Sequence, residues 1–168
     1  MTDKQLSASE LEELERKFDP ETAFRKIDPV LGVVVSTALV AMSAYHFYAS
    51  GFGLIREVLH RGIHLSFTLG LVFLLFGVSR HKPNHQPAKA WYLFDGVSFL
   101  DIACAVAVVA AALYLPLLPP EALASRVSNP STLDVFMGSV LLVLTLEASR
   151  RSVGAILPII AVVFILFA

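Results

Sequence analysis

The chain has 168 residues, of which 56% are hydrophobic and only 16% charged, with a mean hydropathy of +0.70. Soluble domains carry about 25% charged residues. Here the charges crowd into residues 1–28 and into short segments between long apolar runs, the pattern of a polytopic membrane protein. A net charge of -1 gives no electrostatic footprint for a nucleic-acid partner, and the single cysteine, Cys104, excludes an intrachain disulfide and a cysteine metal site. No cofactor is expected.

The N-terminal segment is polar and acidic-rich through Asp28. The first apolar run therefore starts too late to be the core of a cleaved leader and is expected to be a retained span. Within the tail, residues 7–18 read as a short amphipathic helix. Ser9 and Glu12 have capping-box spacing, and Leu11, Leu14 and Phe18 share a face. The tail is expected to be solvated on the cytoplasmic side, with docking of a partner as the other reading.

Asp28-Pro29 predicts a helix start, with Asp28 as cap and Pro29 at the first helical position. Val30 to Tyr48 then runs for 19 residues with His46 as the one titratable group other than tyrosine, about 29 Å at ~1.5 Å per residue and close to the bilayer core. Ser50-Gly51-Phe52-Gly53 is expected to break this helix, and Leu54–His60 to form a short connection. The second span is expected from about Arg61 to Val78, closed by Ser79-Arg80-His81-Lys82-Pro83. A polar loop follows to about Leu93, with Trp91 and Tyr92 suited to the membrane interface.

The third apolar stretch opens near Val97, is interrupted by Asp101 and is strongest from Ile102 to Leu118, where Pro116, Pro119 and Pro120 end it. A loop carrying Arg126 leads to Ser131. Ser131 and Asp134 again have the spacing of a helix start, and the fourth span is expected over Leu133–Leu146, followed by Glu147-Ala148-Ser149-Arg150-Arg151. A fifth run, Val153–Ala168, has 16 residues and is marginal for a bilayer crossing, which suggests a truncated product or part of a longer chain. The expected fold is thus all-α: a polytopic membrane bundle of four full transmembrane helices and a shorter fifth, preceded by a short amphipathic helix. The expected divisions are a tail over 1–28, a four-helix membrane domain over 29–151 and the start of a fifth helix over 152–168.

Orientation follows from the basic residues. Five lie in the tail (Lys4, Arg16, Lys17, Arg25, Lys26), three in the second connection (Arg80, Lys82, Lys89) and two after the fourth span (Arg150, Arg151). Only Arg56, Arg61 and Arg126 fall on the other side. This predicts a cytoplasmic N-terminus.

From the fourth span onward the sequence resembles a known family. Leu133-Asp134-Val135-Phe136-Met137-Gly138, then Leu146-Glu147-Ala148-Ser149-Arg150-Arg151-Ser152-Val153-Gly154, then Leu157-Pro158-Ile159-Ile160-Ala161 are similar to a stretch of the TRAP transporters, the tripartite ATP-independent periplasmic systems. The nearest pattern is their TAXI-type fused permease branch. Ala49-Ser50-Gly51-Phe52-Gly53-Leu54, Arg61-Gly62-Ile63-His64-Leu65, and Asp101 ahead of Ala112-Leu113-Tyr114-Leu115 resemble earlier parts of the same pattern. The resemblance covers roughly residues 30–168 and leaves the acidic tail out.

It implies a small-subunit-like membrane domain of a bacterial inner-membrane transporter, one that takes up organic anions by symport with Na⁺ or H⁺. In such systems the chain continues into a large transport domain, which holds substrate and cations. A separate periplasmic protein delivers the substrate. The implied partners are therefore that permease domain, the binding protein and the lipid bilayer. This chain would brace the moving part and would transport nothing alone.

The polar residues that stand out within or beside the spans are Glu147, Arg150, Arg151, Asp101 and His64. Glu147 can pair with both arginines at i+3 and i+4, as an interfacial stop, as a contact to a transport domain or, as a third reading, for direct ion or substrate binding. Asp101 reads either as an interfacial helix cap or as an embedded carboxylate for proton coupling. His60 and His64 share a helical face, with His46 near the same outer end; interfacial hydrogen bonding is expected rather than a metal or haem ligand set. Gly62, Gly70 and Gly138 are expected to serve close helix packing. No Ser/His/Asp arrangement, phosphate loop or paired intramembrane carboxylates is legible, so no enzyme activity is expected. Two other functions compete: a stand-alone membrane scaffold acting through the acidic tail, and a redox subunit using His46, His60 and His64.

Overall fold

A computed structural model describes residues 29–53, 56–78, 92–94 and 97–167. The expected tail helix, the Asp28 cap, Trp91 and the basic residues of the second connection lie outside these segments. The described residues form six helices and one small hairpin: α1 (Pro29–Phe52), α2 (Glu57–Leu75), β1 (Tyr92–Phe94), β2 (Val97–Ser98), α3 (Phe99–Tyr114), α4 (Pro120–Ser128), α5 (Thr132–Ser152) and α6 (Ile156–Phe167). The strands pair antiparallel, with Tyr92 opposite Ser98 and Phe94 opposite Val97.

Three helices, α1, α2 and α5, are long and apolar enough to cross a membrane. α3 and α6 are apolar but shorter, at 16 and 12 residues, about 24 and 18 Å at ~1.5 Å per residue. The expected boundaries move in several places. α1 continues through Ser50 and Gly51 and stops only at Gly53, whose φ of +92° suits a residue without a Cβ. α2 begins at Glu57, not Arg61, because Glu57 and Arg61 pair one turn apart in its first turns. It ends at Leu75, as Phe76 turns extended. The segment expected as a loop before Ser131 contains α4, started by Pro120 at its first position.

Two starts are locked by reciprocal caps. At α3, Ser98 accepts from the helix backbone while the Asp101 carboxylate accepts from the Ser98 N–H; at α5, Ser131 and Asp134 do the same.

α2 and α3 make the broadest helix contact, and α5 packs across both. Their meeting faces carry Leu69 and Phe73 from α2, Ala105 and Val108 from α3, and Ala148 from α5. A second cluster joins Leu31 and Val35 of α1 to Leu71 and Val97. In lipid the apolar effect does not separate one helix face from another, so close backbone approach has to supply packing. The buried face of α2 repeats small residues every fourth position, at Gly62, Ser66 and Gly70. A Cβ on Gly62 would stand 2.6 Å from Pro116 Cγ and 3.1 Å from the Ala112 carbonyl. Gly138 does not serve packing as expected: a Cβ there would meet nothing within 4 Å. α6 touches α5 and leaves Ile156, Val163, Phe164, Leu166 and Phe167 exposed.

Candidate functional site

The end of α5 carries Glu147, Arg150 and Arg151 within little more than one helical turn. Glu147 accepts from both arginines: from Arg150 Nε at 2.7 Å and Nη2 at 2.8 Å, and from Arg151 Nε at 2.8 Å. Both expected pairs therefore form. The helix turns Arg151 inward, where its Nη1 donates to Asp101 Oδ1 at 2.6 Å. Its guanidinium carbon sits 4.8 Å from the centre of the Phe73 ring, and Nη1 also approaches the Phe76 carbonyl at 3.4 Å. Arg150 reaches the Val78 carbonyl at 3.2 Å.

This joint gathers the last turn of α2, the first turn of α3 and the last turn of α5. Asp101 holds both ends of the argument about its role: it caps α3 through the Ser98 N–H, and it is a buried carboxylate, 1% exposed, against an arginine 2% exposed. Among the described residues, two carboxylates face two guanidinium groups here. Charges at such a depth are stable only when paired and hydrogen-bonded. Arrayed this way, the groups hold three helix ends in one register.

His64 is not part of this joint. It lies at the opposite end of α2, where its Nδ1 is 3.1 Å from His46 Nε2 of α1. His60 Nδ1 is 3.1 Å from the Tyr45 hydroxyl, and the His46 ring stands 5.3 Å from that of His60 and 5.1 Å from that of His64. Among the described residues no three His, Cys, Asp or Glu side chains are grouped so as to hold a metal ion.

Two further polar ties at this same end escaped the sequence reading. Arg56 donates to the Pro116 and Leu118 carbonyls at 2.8 and 2.9 Å, closing the C-terminal end of α3. Arg126 of α4 donates to Asp134 at 2.6 Å and to the Tyr114 hydroxyl at 2.9 Å, and Tyr114 donates to Asp134 at 2.9 Å. The bond to Asp134 raises the Arg126 pKa further above its ordinary value, with the Tyr114 contact adding to it. Asp134 was legible as a cap; its contacts to α3 and α4 depend on three helices meeting, which no local spacing signals.

A groove of about 480 Å³ runs between α3 and α5, lined by residues that include Ala103, Ala107, Phe136 and Val143. Its lining is apolar, and its Ser139 hydroxyl is directed back to the Val135 carbonyl. Among the described residues that line it none is basic.

No family model, curated protein or solved structure matches this chain.

Proposed function

We propose that this chain is the small-subunit-like membrane domain of a TRAP-type secondary transporter, a fixed wall against which a larger transport domain moves. The observation that carries the reading is the joint at the end of α5. Residues 146–154, one of the segments that carry the family resemblance, contain the Glu147, Arg150 and Arg151 that tie α2, α3 and α5 together. A wall has to resist shear, and an ionic joint with the buried Asp101–Arg151 pair at its centre resists it better than apolar contacts that lipid could replace.

In this reading α1, α2, α3 and α5 are four spans, α3 completed by the turn that follows it, and α6 is a fifth. The N-terminus is cytoplasmic, which puts the Asp101–Arg151 joint at the cytoplasmic face of a bacterial inner membrane. The exposed apolar surface of α6 faces lipid or the transport domain. Substrate and coupling cation, Na⁺ or H⁺, are held by the larger domain.

Transport tests the function. Proteoliposomes containing this chain with its permease domain should take up an organic anion under a cation gradient, and liposomes with this chain alone should not. Uptake by this chain alone, or uptake by the permease domain that is indifferent to it, would overturn the reading. Orientation is tested separately in a Cys104→Ala background. Ser128→Cys and Val78→Cys should react with an impermeant maleimide from opposite sides of the membrane.

A further inference from the structure

At the end where α1 runs into α2, the tautomer of His46 is fixed by its partners. The Met42 carbonyl can only accept, so His46 Nδ1, 2.8 Å from it, carries a proton. In the neutral ring Nε2 is then a bare acceptor, and the hydrogen bond at 3.1 Å is donated by His64 Nδ1. His64 Nε2 is the atom of this pair that takes a proton without breaking anything. A proton there charges the donor and tightens the bond. A second proton has to land on His46 Nε2, the acceptor itself. It leaves two N–H groups and two positive charges face to face.

We propose that the His46–His64 pair is a proton-operated clasp between α1 and α2, closed while His46 Nε2 is bare and opened when both imidazoles are charged. The groups facing the pair are the His60 ring, itself titratable, and Tyr45, which is bonded to His60 and lies edge-on to His46. On the same end of α2, Glu57 and Arg61 pair with each other. From the α3, α4 and α5 side, Arg56 is engaged with carbonyls, and Tyr114, Arg126 and Asp134 bond one another. A charged His60 adds to the repulsion.

Opening acts on half a helix. The other half of α1 is held by Leu31 and Val35 in the apolar cluster with Leu71 and Val97, which does not titrate. The His46 half is then held to α2 by the Tyr45–His60 bond, which a charged His60 can still donate, while the Leu31 half stays, so the clasp converts acidification into a loosening of the α1–α2 corner.

The test uses the full chain in phosphatidylcholine nanodiscs, with Cys104→Ala, and spin labels at Ser50→Cys on α1 and Ser128→Cys on α4. Between about pH 8 and about pH 5, the range in which histidine changes charge, the inter-label distances should shift to longer values. His64→Gln and His46→Gln should each abolish that shift, because an amide can donate or accept and carries no charge at either pH. Independently of any variant, ¹⁵N-histidine spectra at the higher pH should show His46 protonated at Nδ1 alone. Unchanged distances in the parent protein, a full shift retained in His64→Gln, or a proton on His46 Nε2 at the higher pH would each overturn the clasp.

Discussion

Arg151 and Asp101 are 50 positions apart in the chain and meet at 2.6 Å, with neither side chain more than 2% exposed. The contact ties the last turn of α5 to the first turn of α3, and Asp101 passes the constraint on to the α3 cap. Each charge helps to make the other tolerable at this depth.

Removing one partner should therefore cost far more than removing both. Arg151→Leu leaves Asp101 and Glu147 without their inward guanidinium, and a loss of about 3–5 kcal/mol is expected. The double variant Asp101→Leu with Arg151→Leu should lose much less, with the missing α3 cap, worth about 1 kcal/mol, as a main residue of the cost. Denaturant unfolding in detergent micelles, followed by far-UV circular dichroism, distinguishes the two. A double-variant loss equal to the sum of the Asp101→Leu and Arg151→Leu losses would mean that the charges are not coupled.

Two glycines should respond in opposite directions to the same change. Gly62→Ala drives a methyl group toward Pro116 and the Ala112 carbonyl; the carbonyl belongs to a helix backbone and yields little, so about 1–3 kcal/mol of destabilisation is expected. Gly138→Ala meets open space inside α5 and should stabilise by about 0.5–1 kcal/mol through helix propensity. Thermal unfolding midpoints of the two variants, measured side by side, check the sign of each.

Arg56 acts through the fork of its guanidinium, which spans two carbonyls at the end of α3. Arg56→Lys keeps the charge and loses one of the two bonds, at a cost of about 1–2 kcal/mol. Amide hydrogen exchange should rise in the last turn of α3 and stay unchanged at the Asp101 end.

The turn from α5 into α6 depends on Gly154, at a φ of +110°. Its N–H and that of Val153 both return to the Ser149 carbonyl, which closes α5 directly after the arginines. Gly154→Ala should destabilise the turn by about 1–2 kcal/mol. A label pair across α5 and α6 should report a broader distance distribution. An unchanged distribution would mean that the turn accepts a side chain.

The sequence by itself determined several features that lie within about four residues of their cause. Pro29 marked the start of α1, Ser131 and Asp134 the start of α5, and Asp101 the first turn of α3. The pairing of Glu147 with Arg150 and Arg151 followed from helical spacing alone. α4 was missed because nine residues with little apolar character between proline-rich segments give hydropathy nothing to detect.

Only the tertiary structure decided who faces whom. Arg151 on Asp101, Gly62 under Pro116, Arg56 on the end of α3 and His46 on His64 all join separate helices. In a water-soluble protein a polar face would have revealed which side of each helix turns inward. α1 and α6 are apolar nearly all round and most of their large side chains remain exposed, because a lipid-facing surface is as apolar as a core. The pattern that would have named the buried face is therefore absent from the sequence, and the neighbours had to be found by packing.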